Sequence, residues 1–348
     1  MTWKAFQQLG YELSEADAQS LYPEIIRQYQ KAKKDIDALV RTQYDKYLDA
    51  VDTDKYYNEM IKYDRLVNLE KQVAQSYSKY SKEAGKLIGQ SGEIAFSNNY
   101  YRSVYASQWL TESNVIGLLP PSLIEYAVYG TSASWKAITA AQKAKFGVSD
   151  IGPQIGTLSD LLVKNRTNET AKIFETITQG LNRGDSYTKM SKNIASVIGK
   201  ATPEGFTGAM ANAMRIATTE GTRIMNDAAF SNSKALESQG ISVKKIWIAT
   251  LDSKTRSTHA HLDGIIKDLD AYYMIGNDRA LKPGGFATAG LNIRCRCTIG
   301  DIINDKSPKI RRGRNPETGE NEIFEYKDFK TWAGDNGLGI EKLKVVVA

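Results

Sequence analysis

The residues best suited to chemistry share one stretch of the 348-residue chain. Its only histidines, His259 and His261, and its only cysteines, Cys295 and Cys297, all lie there, with Asp263 close by. Imidazole, thiolate and carboxylate are all ligand types that zinc accepts. A helix over 253–263 places His259 and Asp263, four residues apart, on one face and turns His261 away. A strand from Arg294 to Ile303 puts Cys295 and Cys297 on one face, because side chains alternate with period two. Packing that helix over that strand would bring His259, Asp263, Cys295 and Cys297 together as the four ligands of a structural zinc ion, with His261 in place of Asp263 as the main variant. The competing reading is a hydrogen-bonded core histidine beside two buried thiols, and Cys-x-Cys is a weaker zinc signature than Cys-x-x-Cys. A Cys–His nucleophile has no oxyanion-hole motif to support it. No catalytic and no cofactor-binding residue is therefore assigned, and no cofactor other than zinc is expected.

The elements that would position these residues follow from periodicity. Gly240 ends an alanine- and methionine-rich helix over about 209–239, and Val243 to Thr250 alternates as a strand. Asp252 is placed to cap the next helix and Gly264 to end it. Within the alanine-rich helix, Arg215 and Glu220 are each expected either to make a buried polar contact or to lie on the surface as plain charges. Beyond Cys297, Lys309–Arg314 reads as a basic turn, Asn321–Tyr326 as a strand, and Phe329 and Trp332 as part of a last helix or turn.

Ahead of this region the chain reads as helix. Residues 1–20 form an arm. Ile25, Tyr29, Ala32, Ile36 and Leu39 make one apolar stripe, and Met60, Tyr63, Val67, Val73, Tyr77, Tyr80, Ala84 and Leu87 make another. Asp52-Thr53-Asp54 between them supplies capping oxygens, so the two stripes read as a helical hairpin. Thirteen of the 19 tyrosines fall before residue 110. They suit either the packing of a thin bundle or a partner surface. Gly85, Gly89 and Gly92 are expected to loosen the second helix before Pro120-Pro121 stops it. Shorter helices follow, over about 158–181 and 186–198, with a turn at Asn182–Asp185. The fold class is α+β and predominantly α: an arm (1–20), a helical hairpin (21–110), a helical middle region (111–204), and a small C-terminal α+β domain with a short antiparallel sheet (205–348).

Composition bounds the function class loosely. A net charge of +6 with 41% hydrophobic and 25% charged residues is ordinary for a soluble globular protein. Neither a signal peptide nor a membrane span is expected, and two cysteines one residue apart suit a reducing compartment.

Taken together, Arg215-Ile-Ala-Thr-Thr-Glu220, Trp247-Ile-Ala-Thr-Leu-Asp-Ser-Lys-Thr-Arg256, His259-Ala-His-Leu-Asp-Gly264 and Asn292-Ile-Arg-Cys-Arg-Cys-Thr298 resemble the Mu F-like phage head morphogenesis, or minor head, proteins in order and spacing. The resemblance covers about residues 180–300. It implies a structural minor head protein made in the host bacterial cytoplasm. In the virion it would sit at the portal vertex or capsid interior, acting in head assembly and in DNA packaging, retention or ejection. The implied partner is the portal protein, with the major capsid or scaffolding protein as a further candidate; apart from the resemblance, the basic run Lys309–Arg314 suggests non-specific contact with phage DNA. Some relatives carry an ADP-ribosyltransferase domain after this region; only about fifty residues follow Cys297, so that activity is not expected here. The alternative is a metal-dependent hydrolase or nuclease, with Arg256 and Arg294 contacting phosphate.

Overall fold

The computed structural model describes residues 16, 19–49, 55–111, 118–153, 156–183, 185–203, 205–314, 318 and 321–335. In chain order the elements are α1 (Tyr22–Asp49), α2 (Lys55–Thr111), α3 (Pro121–Tyr129), α4 (Ser132–Ala137), α5 (Ala140–Phe146), a 3-10 turn (Val148–Asp150), α6 (Leu158–Asn182) and α7 (Tyr187–Ile198). They continue with β1 (Ala201–Thr202), β2 (Gly205–Phe206), α8 (Gly208–Glu237), β3 (Val243–Ile248), α9 (Ser257–Ala260), β4 (Ile266–Asp268), β5 (Tyr273–Ile275) and β6 (Asp278–Ala280). The last are α10 (Ala289–Asn292), β7 (Thr298–Ile303), β8 (Ile310–Arg314), β9 (Asn321–Glu325) and α11 (Phe329–Asp335). The class is the expected one, predominantly helical with small antiparallel sheets late in the chain. Residues 1–15 of the arm, the capping residues Asp52–Asp54 and Gly184 of the Asn182–Asp185 turn lie outside the described residues.

Contacts divide the chain into two units, each built from separate stretches. One contains residues 21–90 and 159–217. Its core takes Ile25, Tyr29, Ala32, Ile36 and Val40 from α1, while Leu39 is only half-buried. From α2 it takes Val73, Tyr77 and Ala84 of the expected stripe together with Leu69 and Ile88, while Tyr80 and Leu87 are half-buried and Val67 is exposed; the side chains of Met60 and Tyr63 lie outside the described residues. Tyr77 donates its hydroxyl to the buried carboxylate of Glu169, which also accepts from Asn212 at 2.9 Å. Burial raises the Glu169 pKa above the usual carboxylate value.

The other unit contains residues 91–158 and those from 218 onward. Its central sheet is antiparallel in the order β4-β3-β7, with Lys245 opposite Lys267 on one side and Asp301 on the other. One face of β3 presents Trp247 to a core made with Ala249, Leu251, Leu262, Tyr273, Phe286, Cys295, Cys297, Phe329 and Trp332. The opposite face packs Ile246 and Ile248 on Ile302. Phe329 and Trp332 lie on α11, so the end of the described chain completes the core begun by β3.

Two expectations change here for physical reasons. The glycines do not loosen α2, which runs unbroken to Thr111. A Cβ on Gly85 would meet Leu162 Cδ1 at 3.2 Å, and one on Gly92 would meet Ile224 Cδ1 at 2.8 Å and Val128 Cγ1 at 3.1 Å. These glycines make room for neighbouring side chains. Gly92→Ala should therefore lower stability by about 1 kcal/mol in urea unfolding, overpacking outweighing the gain in helix propensity; a more stable variant would show that the contact has slack. The second change is at Lys309–Arg314, which forms strand β8 where a basic turn was expected. Its Arg311 is fully buried.

Candidate metal centre

The alanine-rich helix does more positioning than its composition suggests. On α8, Arg223 donates to Glu220 (2.8 Å), to Asp227 (2.6 Å) and to the Ala127 carbonyl (2.9 Å), and Lys282 Nζ lies 3.1 Å from the second oxygen of Asp227. Asp227 also accepts from the Gly152 amide at 2.9 Å. All four side chains are buried, so opposite charges compensate one another where water cannot. Glu220 thus makes the buried contact considered for it, with Arg223 as a partner that periodicity alone did not single out. Arg215 is half-buried and donates to Asn212 at 3.4 Å.

One turn along the same helix, Asn226 acts as a substitute strand partner. Its amide nitrogen donates to the Cys297 carbonyl at 3.0 Å, and its oxygen accepts from the Ile299 amide at 2.9 Å. Thr219 accepts from the Arg294 amide at 3.0 Å. From the segment after β3, Thr250 donates to the Arg296 carbonyl at 2.8 Å, and Asp252 pairs with the Arg296 guanidinium. Burial works to raise the Asp252 pKa, but the bonds from Arg296 and Thr255 outweigh it and hold the carboxyl below its usual value. The Cys295–Cys297 segment is thereby held from both sides. It is not strand, because β7 begins only at Thr298 and Arg294 takes a left-handed φ of 55° that turns the chain after α10.

The structure brings three of the four expected ligands together. His259 Nδ1 lies 3.5 Å from Cys295 Sγ and 3.5 Å from Cys297 Sγ, and the ligand atoms of all three residues fall within 4.8 Å of one another. All three are buried, against Trp247 and Phe286. The hydrogen bond from Cys297 lowers the Cys295 pKa, with His259 acting in the same sense against burial; that bond and burial raise Cys297.

Asp263 is the expected ligand that does not join them. Helix α9 spans only Ser257–Ala260, and the chain continues through tighter turns in which Leu262 bonds back to His259 and Asp263 to Ala260. At about three residues per turn, a side chain four positions on has rotated by about 120° instead of the 40° of an α-helix. Asp263 Oδ1 accepts from the Ala249 amide (2.7 Å) and Arg311 (2.8 Å), and Oδ2 accepts from Arg311 (2.8 Å) and the Phe329 amide (2.7 Å). Its side chain is 2% exposed and that of Arg311 0%. His261 is exposed, with Nδ1 2.7 Å from the Ser257 carbonyl. Of the two arginines suggested as phosphate contacts, Arg256 donates to the Ile293 carbonyl and Arg294 is exposed.

Residues 171–300 match the family described as Phage Mu protein F like protein. This part of the chain is thus similar to the Mu F-like family. The match takes in every motif that carries the resemblance, from Arg215 to Thr298. Among curated proteins, the chain is similar to the minor head protein GP7 of Bacillus phage SPP1, with 25% identity over 300 residues, covering 86% of this chain and 87% of GP7. It is also similar to the NAD(+)--arginine ADP-ribosyltransferase EFV of Enterococcus faecalis, with 32% identity over 178 residues, or 51% of this chain. The chain spans 34% of the length of that enzyme. No solved structure matches. Among the described residues, no helix is long and apolar enough to cross a membrane.

Proposed function

We propose that this chain is a structural minor head protein of a tailed bacteriophage. It is a virion component at the portal vertex or capsid interior, acting in head assembly and in DNA packaging, retention or ejection. The observation that carries this reading is the similarity to a minor head protein along 86% of the chain, nearly end to end in both. The portal protein is the expected direct partner, with the major capsid or scaffolding protein, and DNA bound without sequence preference, as further ones. The ADP-ribosyltransferase activity named for the enterococcal protein belongs to a chain of which only 34% is matched, and this reading takes the shared part as scaffold.

The use made of the motif residues supports a structural role over the hydrolase or nuclease alternative. Thr219, Asp252, Thr255 and Arg256 spend their polar atoms on holding backbone or one another. Arg311, from the basic run that suggested DNA contact, is committed to Asp263. In phage particles carrying a nonsense mutation in this gene, defective or poorly infectious heads are expected, and the wild-type chain should co-purify with portal rings. Normal yields of DNA-filled infectious heads without the protein would overturn the proposal.

A further inference from the structure

We propose that His259 Nδ1, Cys295 Sγ and Cys297 Sγ bind one zinc ion as a three-residue set, with Asp263 excluded and the fourth position taken by water. This assignment is independent of the head-protein reading, and its test can fail without touching that reading.

The distances carry the first step. In a tetrahedral site, zinc–sulfur and zinc–nitrogen bonds of about 2.3 and 2.0 Å put nitrogen and sulfur ligands about 3.5 Å apart. Both Nδ1···Sγ distances are 3.5 Å. Hydrogen bonding explains this arrangement less well. An imidazole Nδ1 carries one lone pair or one proton, so it can bond one thiol but not both. A cation between the three atoms satisfies all of them. Binding displaces the two thiol protons to solvent, since the metal takes thiolate.

The surroundings suit a metal thiolate. Chain bonds from Thr219, Thr250, Asp252 and Asn226 fix the cysteine segment before any ion is bound. The Trp247 indole N–H is buried and makes no hydrogen bond of ordinary geometry, and Trp247 packs in the same core cluster as Cys297. It is a ready donor to a metal-bound sulfur.

The fourth position does not fall to either residue that the spacing suggested. Each oxygen of Asp263 already accepts two hydrogen bonds, and releasing one would leave Arg311 uncompensated in the core. His261 is exposed and bonded to its own turn. Two sulfurs and one nitrogen from the chain therefore leave a vertex for a small oxygen ligand.

The test uses the full chain purified without a histidine tag. Elemental analysis should give about one zinc per chain. Replacement by cobalt(II) should give a thiolate charge-transfer band and the intense visible bands of four-coordination. Asp263→Asn and His261→Gln should keep the metal, and Cys295→Ser or Cys297→Ser should lose it. A wild-type chain that holds no metal, develops no cobalt spectrum and shows no change in Tm on adding zinc would overturn the proposal. So would loss of the metal from a folded Asp263→Asn variant. If that variant does not fold, azide added to the cobalt-loaded wild type decides: a shifted spectrum marks an exchangeable fourth ligand, and an unchanged one overturns the water assignment.

Discussion

Arg311→Met is expected to cost about 3–5 kcal/mol, the cost of removing one partner from a buried ion pair and leaving the other charge unpaired. The guanidinium makes a two-pronged pair with Asp263 at 2.8 Å on each arm and donates to the Ala249 carbonyl and, at 2.9 Å, to the Lys327 carbonyl. Asp263 in turn holds the amides of Ala249 and Phe329. One pair thus ties the end of β3, the turn after α9, strand β8 and the start of α11. Urea unfolding followed by hydrogen exchange should show the Ala249 and Phe329 amides losing protection together. The double variant Arg311→Met/Asp263→Leu should recover much of the loss, because no charge is then left buried. A single variant within about 1 kcal/mol of wild type would show that water reaches the pair. Because Asp263 serves this tie, the prediction also separates its role from that of the three proposed metal ligands.

How much of this was legible in the sequence depends on whether a residue acts through its own element or through a distant one. The apolar stripe of α1, the limits of α6, α7 and α8, and strand β3 follow from local periodicity and turn chemistry, and the structure has them within a few residues. His259, Cys295 and Cys297 were found because the chain has so few residues of those types. Asp263 was misplaced by an assumption about helix length. A short helix that tightens after Ala260 breaks the four-residue rule, and nothing local in Ser257–Gly264 announces it. Arg311 could not be assigned at all from sequence, since a basic run on an exposed turn and a strand with one buried arginine have the same composition. Asn226 and Arg223 were hidden in the same way: inside a long helix a polar residue reads as surface until its partner, 71 residues away for Asn226 and Cys297, is known.

Between about pH 7 and 10, stability of the unit that contains β3 should rise with pH, and Lys245→Met should remove most of that rise. Lys245 is fully buried, with Nζ 2.6 Å from the Leu269 carbonyl and against the rings of Phe230 and Tyr273. Burial lowers its pKa to about 7, and the nearby charge of Lys282 acts in the same direction, as does Lys234 more weakly; Asp270 and Asp150 oppose them. The unfolded chain holds the proton up to a pKa of about 10.4. In the window between the two values the unfolded state binds more protons, so unfolding becomes less favourable as pH rises. Below pH 7 both states are protonated and the cost of the buried ammonium is constant. With a difference of about three units, the gain across the window is on the order of 4 kcal/mol. Methionine keeps most of the volume and carries no charge. It leaves the Leu269 carbonyl without its donor, a cost of about 1 kcal/mol that does not vary with pH. The variant should therefore be at least as stable as wild type at pH 6, with the difference closing or reversing toward pH 10. Parallel stability profiles for the two proteins across pH 7–10 would mean that Lys245 keeps its proton in the folded chain, its ammonium stabilised by the two aromatic faces and the carbonyl more strongly than burial opposes it.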